Sequence, residues 1–183
     1  MGFFRFLSGV TSESEHNLKK RFSKLGQLIT GKDSTRDFLA KSGLKLTGRI
    51  FLITTWRTGK GEEDFKQVLF RKNHKVIEVF RVNALHHRES ALLHIMRSNS
   101  EKLHSGDILA IVRGGGDTSD NSFLPFKSSA AAEAIERLKK TKGVIVVTGI
   151  GHASDHFLVE KAATFKQATP SDAAHRICEL LEV

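Results

Sequence analysis

The sequence predicts an α/β fold: a single domain with a mostly parallel sheet flanked by helices, preceded by an N-terminal helical arm. Short apolar runs rich in β-branched residues, such as Asp107–Val112 and Val144–Val147, end in glycine-rich segments, as buried strands commonly do. The stretch 130–142 between them has a helical pattern, so strand, helix and strand form a crossover that makes the strands parallel. The alternation of strands and helices along the chain is typical of a doubly wound sheet.

The remaining elements are predicted from the same signals. Ser12 and Glu15 form a capping box that begins a helix over 12–26, with apolar residues at helical spacing behind it. Apolar runs predict two more strands, and the periodicity predicts four more helices, the last of them beginning after Pro170. The strands are 49–54 and 75–81, and the helices are about 34–41, 62–73, 89–99 and 171–181.

Composition bounds the class of protein. A chain of 183 residues can form one α/β domain with a proper core. The net charge of +9 favours an anionic partner, nucleic acid first and an acidic membrane second. The single cysteine, Cys178, excludes an internal disulfide and a cysteine-rich zinc site, which fits a cytoplasmic protein.

The first residues of the chain are apolar but too few to span a bilayer, and they lack the features of a signal peptide. Two interpretations stay open for this arm. It packs on its own domain or on a second copy, which would give a homo-oligomer, or it contacts a membrane. The first is favoured, because a single short apolar arm anchors weakly.

Arg113 and the three glycines after it follow a predicted strand. The backbone N–H groups of Gly114, Gly115 and Gly116 could approach an anion closely, and a guanidinium binds phosphate through two parallel hydrogen bonds. A merely flexible turn is the alternative. The pattern indicates a phosphate-binding loop at the carboxyl edge of the sheet, where ligands bind in such folds.

A second glycine loop ends in His152 and is followed by Asp155. An imidazole at this edge is suited to proton transfer, and Asp155 could hold the ring or bind a metal. The alternative is a surface histidine beside an aspartate that caps a helix. Parallel topology brings both residues to the edge where Arg113 lies.

The polar turn after the first predicted strand carries Arg57 and Lys60 and leads to Asp64. It does not have the spacing of a P-loop. Asp64 stands at a helix start, where the dipole favours acids, so from spacing alone it fits a cap and a catalytic group equally. Arg57, Lys60, Arg81 and Arg88 would guide an anionic strand to this edge.

Three ordered segments, Arg113–Gly116, Gly151–Asp155 and Ala168–Ala174, resemble the catalytic core of the exodeoxyribonuclease VII large subunit family, with its RGGG, GHExD and TPxxAA motifs. The resemblance implies a core over residues 18–183, with residues 1–17 as the arm. It implies a nuclease that degrades single-stranded DNA, with Asp64, Arg113, His152 and Asp155 matching the essential residues of the family.

The resemblance has departures. The OB-fold and the helical carboxyl-terminal extension of the family are missing from the sequence, so small-subunit binding and processive degradation are not expected to carry over. Ala153 stands where the family has an acid, and Phe123 replaces a tryptophan. Glu160 replaces an aspartate, and Lys166 stands where arginine is usual.

These observations lead to a mechanistic hypothesis. Arg113 and the glycine N–H groups would hold the phosphate, His152 would transfer protons, Asp155 would orient the imidazole, and Asp64 would orient water or bind a divalent ion. Two carboxylates could help to hold magnesium, but nothing in the spacing requires a metal. Two other functions stay open: a module that binds nucleic acid or nucleotide without cutting it, and a hydrolase of small phosphate compounds.

Overall fold

The computed structural model describes residues 35–55, 60–82, 90–114, 123–151 and 157–182. The arm over residues 1–17 and the predicted helix over 12–26 lie outside them. The strands are β1 (Ile50–Thr55), β2 (Val76–Val82), β3 (Ile108–Val112), β4 (Ile145–Gly149) and β5 (Phe165–Gln167). The helices are α1 (Thr35–Ser42), α2 (Gly61–Arg71), α3 (Ser90–Asn99), α4 (Leu124–Lys127), α5 (Ser129–Arg137), α6 (Leu158–Ala162) and α7 (Pro170–Leu181).

The five strands form one sheet in the order β2-β1-β3-β4-β5, and every pairing is parallel. The predicted α/β class and parallel sheet are therefore confirmed. This order is that of one of the common doubly wound folds, in which the chain reverses direction across the sheet between β1 and β3. The crevice beyond the carboxyl ends of these two strands is where such folds bind ligands.

Each face of the sheet carries its own apolar core. On one face, Phe51, Leu109 and Val146 pack with residues of α3, α4, α5 and α6. On the other face, Leu52 and Ala110 pack with residues of α1, α2 and α7. The central strands β1, β3 and β4 are buried along their whole length, which explains their nearly continuous apolar sequences.

The structure differs from the sequence-based prediction in four places. The short helices α4 and α6 and the edge strand β5 were not predicted. The predicted helix over 130–142 consists of α5 followed by a π-helical turn over Leu138–Lys142. The edge strand has three residues, of which only Phe165 is buried, so its sequence carries almost no strand signal.

A buried carboxylate fixes the amino edge of the sheet, opposite the glycine loops. Asp107 is fully buried and accepts hydrogen bonds from Thr47 Oγ1 at 2.6 Å and from the backbone N–H of His104 at 2.9 Å. Arg49 Nη1 lies 3.5 Å from its second oxygen. Because these contacts satisfy a buried charge, the cluster holds the start of β3 in place. No helix among the described residues is long and apolar enough to cross a membrane.

Candidate active site

Three chain segments meet beyond the carboxyl ends of β1 and β3. They are the first residue of α2, Gly61, the residue Gly114 after β3, and the first residue of α7, Pro170. A Cβ atom at Gly61 would lie 2.7 Å from Gly114 Cα and 3.0 Å from Pro170 Cγ, so only glycine fits there. Gly61, Gly114 and Pro170 are therefore in direct contact. Parallel topology predicted that the chain after β1 and the chain after β3 share this edge, and the structure adds the start of the last helix.

The end of β4 joins the same group of segments. The backbone N–H of Arg113 donates a hydrogen bond to the carbonyl of Gly149 at 3.0 Å, which links the start of one glycine loop to the start of the other. A Cβ at Gly149 would lie 2.8 Å from the carbonyl carbon of Thr169. Thr169 is the N-cap of α7, and its Oγ1 accepts a hydrogen bond from the N–H of Asp172. The first and third motifs of the resemblance thus contribute residues to one edge, together with the end of β4, which leads to the second motif.

The Arg113 side chain is buried, with an exposed fraction of 1%. Its Nη1 donates to the carbonyl of Gly114 at 3.0 Å, and its Cζ lies 3.5 Å from the centre of the Phe123 ring. A cation over an aromatic face is stabilised by the ring quadrupole, most strongly where water is excluded. Because the guanidinium is covered, direct contact with a phosphate would require a change in the arrangement around it.

Phe123 belongs to a larger aromatic group. Its ring is parallel to that of Phe157, with an interplanar angle of 1° and centroids 5.3 Å apart. Phe126 meets Phe157 edge-on at 6.4 Å. The sequence reasoning missed this group, although a signal existed: a phenylalanine follows each motif, Phe123 seven positions after Gly116 and Phe157 two positions after Asp155.

Asp64 lies in the first turn of α2 with an exposed side chain. The N-cap of this helix is Lys60, so Asp64 is not the cap, and its N–H donates to the carbonyl of Lys60 at 2.8 Å. Lys60 is exposed at the same edge. Arg81 also ends there, but its Nη2 lies 2.7 Å from Glu62 Oε1, so a carboxylate already compensates that charge.

The other predicted site residues lie outside the described part of the chain. They are Arg57, Gly115, Gly116, His152 and Asp155. Within the described ranges, no three His, Cys, Asp or Glu side chains are grouped so as to hold a metal. The interpretation that Asp64 and Asp155 could help to hold magnesium therefore stays as open as the spacing left it.

Two departures from the family pattern form a pair. Glu160 in α6 is buried, and its Oε2 lies 2.8 Å from Lys166 Nζ on β5. The two residues that replace an aspartate and an arginine in the resemblance thus contact each other as opposite charges.

Comparison with known proteins supports the same relationship. A family model described as "Exonuclease VII, large subunit" matches residues 40–182. The exodeoxyribonuclease 7 large subunit of Chlamydia pneumoniae is 29% identical over 170 residues, covering 90% of this chain and 27% of that protein. The protein of the same name from Nautilia profundicola is 26% identical over 172 residues, covering 90% of this chain and 35% of that protein.

Other similarities are shorter or weaker. The Corynebacterium efficiens protein of this name is 38% identical over 71 residues, covering 39% of this chain and 16% of that protein. This chain therefore corresponds to a part of each of these relatives. A solved structure of a ligand complex of an Escherichia coli protein has a TM-score of 0.40 and 11% identity, covering 91% of this chain and 89% of that one, and it supports no conclusion.

Proposed function

Because this chain belongs to the exonuclease VII large subunit family, we propose that it hydrolyses phosphodiester bonds of single-stranded DNA at the carboxyl edge of its sheet. The observation that carries the proposal is the convergence of Gly61, Gly114 and Pro170 at the crevice between β1 and β3. Asp64 follows Gly61 by three positions with an exposed carboxylate, and Arg113 directly precedes Gly114. This proximity supports a site at the edge where doubly wound folds bind their ligands.

The chemistry of phosphodiester hydrolysis assigns a role to each residue. Arg113 and the N–H groups of Gly114, Gly115 and Gly116 would stabilise the charge that develops on the non-bridging oxygens. His152 would take a proton from the attacking water or give one to the leaving oxygen. Asp155 would orient the imidazole, and Asp64 would orient the water. Arg57 and Lys60 would attract the DNA backbone.

The backbone hydrogen bond from Arg113 to Gly149 supports this assignment. Gly149 precedes His152 by only three positions, so the chain that leads to the imidazole starts beside Arg113. Two consecutive Cα atoms are about 3.8 Å apart, which limits how far the chain can travel over such a short segment. We therefore expect the same edge to supply the anion-binding and proton-transfer groups.

Burial of Arg113 favours a second candidate function. An exposed fraction of 1% means that the guanidinium does not face solvent without a rearrangement. A chain that binds nucleic acid or nucleotide through Lys60 and the other basic residues of this edge, without cutting it, would be consistent with a purely structural Arg113. The partner is single-stranded DNA in the first case and a nucleic acid or nucleotide in the second, and a cytoplasmic location stays a prediction from composition.

The test is cleavage of end-labelled single- and double-stranded DNA by the purified full chain, with magnesium and with EDTA. We expect wild-type protein to shorten the single strand, and His152→Ala to reduce the rate by about 100-fold or more, since general acid–base catalysis contributes about that factor. The matched control is His94→Ala, an exposed histidine on α3, which should leave the rate unchanged. Thermal unfolding verifies that all variants are folded.

The alternatives give different results. A binding module would retard the oligonucleotide at low salt and leave its length unchanged. A hydrolase of small phosphate compounds would neither retard nor shorten it. Full activity of a folded His152→Ala protein would refute the role given to His152.

A further inference from the structure

The buried Arg113 charge is compensated by contacts with its neighbours. An isolated charge in an apolar environment is costly unless polar or aromatic groups compensate it. Two compensating contacts are the carbonyl of Gly114, which accepts from Nη1 at 3.0 Å, and the face of Phe123. Phe123 itself is buried, with an exposed fraction of 1%, so neither partner of this ring contact can move without disturbing the core.

The short distance between them fixes the orientation of the guanidinium. Its Cζ lies 3.5 Å from the centre of the Phe123 ring, which is van der Waals contact. A guanidinium tilted steeply at this distance would force a nitrogen into the ring. The two planes are therefore close to parallel, so the ring of Phe123 restricts the guanidinium to one plane, in which Nη1 reaches the carbonyl of Gly114.

The aromatic group extends this constraint to Phe157, the N-cap of α6. Phe123 is the first described residue after 115–122, and Phe157 is the first after 152–156. Because the two rings stack at 5.3 Å, the chain that leaves each motif segment is held against the other. Phe126, which is fully buried, meets Phe157 edge-on. The ring that lies against the guanidinium and stacks on Phe157 is Phe123, so the stacked pair of Phe123 and Phe157 is the rigid support.

We propose that Phe123 is a positioning residue that orients the Arg113 guanidinium and, by stacking on Phe157 at the N-cap of α6, fixes that guanidinium relative to the start of α6. This inference rests on the proposed nuclease function. Loss of the aromatic face would leave Arg113 present but misoriented. A misplaced group in a catalytic site lowers the rate of the chemical step more than it weakens substrate binding.

The test compares Phe123→Leu with Phe126→Leu. Both changes remove a ring from the same buried cluster, but Phe123 is the ring that lies against the Arg113 guanidinium. We expect Phe123→Leu to lower kcat on single-stranded DNA by about 10- to 100-fold with less than about a threefold change in KM. Phe126→Leu should have kcat within about threefold of wild type. Phe123→Tyr retains the aromatic face and should restore kcat to that of Phe126→Leu or above.

A second measurement does not require activity. The Nε–H resonance of Arg113, assigned by its absence in Arg113→Lys, should be displaced by the ring current of Phe123 in the wild-type NMR spectrum. Phe123→Leu should move it toward the position of a solvent-exposed arginine, whereas Phe126→Leu should leave it in place. Thermal unfolding of each variant separates this effect from global loss of the fold.

The outcomes separate the two proposals. An unchanged Arg113 resonance in folded Phe123→Leu, or equal losses of kcat in both leucine variants, would overturn the positioning role. A wild-type protein that shows the displaced resonance but does not cut DNA would refute the nuclease function and leave the orientation of Arg113 by Phe123 intact. The positioning role is supported only if the resonance and kcat change together in Phe123→Leu and recover together in Phe123→Tyr.

Discussion

Gly61 makes the contact that holds the polar turn and the glycine loop together. The absence of a side chain there lets the start of α2 approach the backbone of Gly114 and the ring of Pro170. Neither neighbour can yield easily, because one is backbone and the other begins a helix. A single methyl group at this position therefore tests whether the approach matters for the site.

We expect Gly61→Ala to lower the free energy of unfolding by about 1–3 kcal/mol, the usual cost of overpacking. The new Cβ would push α2 away from Gly114 and shift Asp64 relative to Arg113. The activity per folded molecule on single-stranded DNA should therefore fall by about tenfold or more. Urea unfolding and the cleavage assay measure the two effects separately.

Gly48→Ala is the control for this change. Gly48 has a φ of +76°, and a Cβ there would meet nothing within 4 Å. Alanine at this position would be strained by about 1–2 kcal/mol through its backbone conformation alone. Gly48 precedes Arg49 at the amino edge, so the activity per folded molecule should stay at the wild-type value. Equal losses of activity in the two variants would contradict a specific role for the contact at Gly61.

At the scale of elements, sequence patterns predicted what is locally encoded. β3 and β4 consist almost entirely of buried apolar residues between glycines, and their strand character needs no knowledge of the fold. β5 exists because Phe165, Lys166 and Gln167 pair with the end of β4, and this tertiary pairing leaves no periodic signal in three residues. α6 was not predicted for a related reason.

The five-residue helix α6 has little stability of its own, because helices this short are marginal in water. A lysine from another element holds its end. Lys139 is buried, and its Nζ donates to the carbonyl of Ala162 at 2.6 Å and contacts Glu136 Oε1 at 3.0 Å. A lysine in the sequence predicts an exposed side chain, so this support could not be foreseen.

We expect Lys139→Met to lower the free energy of unfolding by about 1–3 kcal/mol, because it leaves the buried carbonyl of Ala162 without this charged donor. The control is Lys140→Met in the same π-helical turn. Lys140 contacts Glu136 at 3.2 Å with a half-exposed side chain, and such pairs are worth less than about 1 kcal/mol. Chemical unfolding at neutral pH measures both, and equal costs would contradict a capping role for Lys139.

The loss of stability in Lys139→Met also depends on pH, and the sign of this dependence follows from the pKa of Glu136. Burial raises the pKa of Glu136, but the hydrogen bonds and charges of Lys139 and Lys140 outweigh it and hold the pKa below its ordinary value of 4.5. A carboxyl group whose pKa is lower in the folded state stabilises the fold at pH values above its pKa in the unfolded state. That contribution is lost as the pH falls through its pKa in the folded state. The difference in stability between wild type and Lys139→Met should therefore shrink below pH 4.5.

At the scale of the whole molecule, the topology determined which predicted residues could meet. The parallel order β2-β1-β3-β4-β5 brings the loops after β1, β3 and β4 to one edge, and this followed from the strand–helix alternation alone. The sequence could not reveal that Arg113 is buried against Phe123, because a charged side chain beside three glycines predicts exposure. The resemblance of the motifs predicted that the site lies at the carboxyl edge of the sheet. The packing in the structure then showed which side chains surround Arg113 there.

The net charge of +9 acts through its distribution over the surface. Lys60 is exposed at the carboxyl edge, whereas Lys45 is exposed beside the amino edge, where its carbonyl lies close to Gly106. If single-stranded DNA follows the carboxyl edge, Lys60 displaces counterions from the bound strand and Lys45 does not. The affinity of single strands falls with salt in proportion to the number of phosphates neutralised, with a slope of about −0.7 for each.

We therefore expect Lys60→Gln to weaken the binding of a single-stranded oligonucleotide and to make the slope of log K against log salt shallower by about 0.7. Lys45→Gln, which removes the same charge from the other edge, should leave the slope within error of wild type. Fluorescence anisotropy from about 50 to 200 mM salt gives both slopes under conditions where the dependence is steep. Equal reductions of the slope in the two variants would mean that DNA binding depends only on the overall charge. That result would contradict a path of the strand along the carboxyl edge.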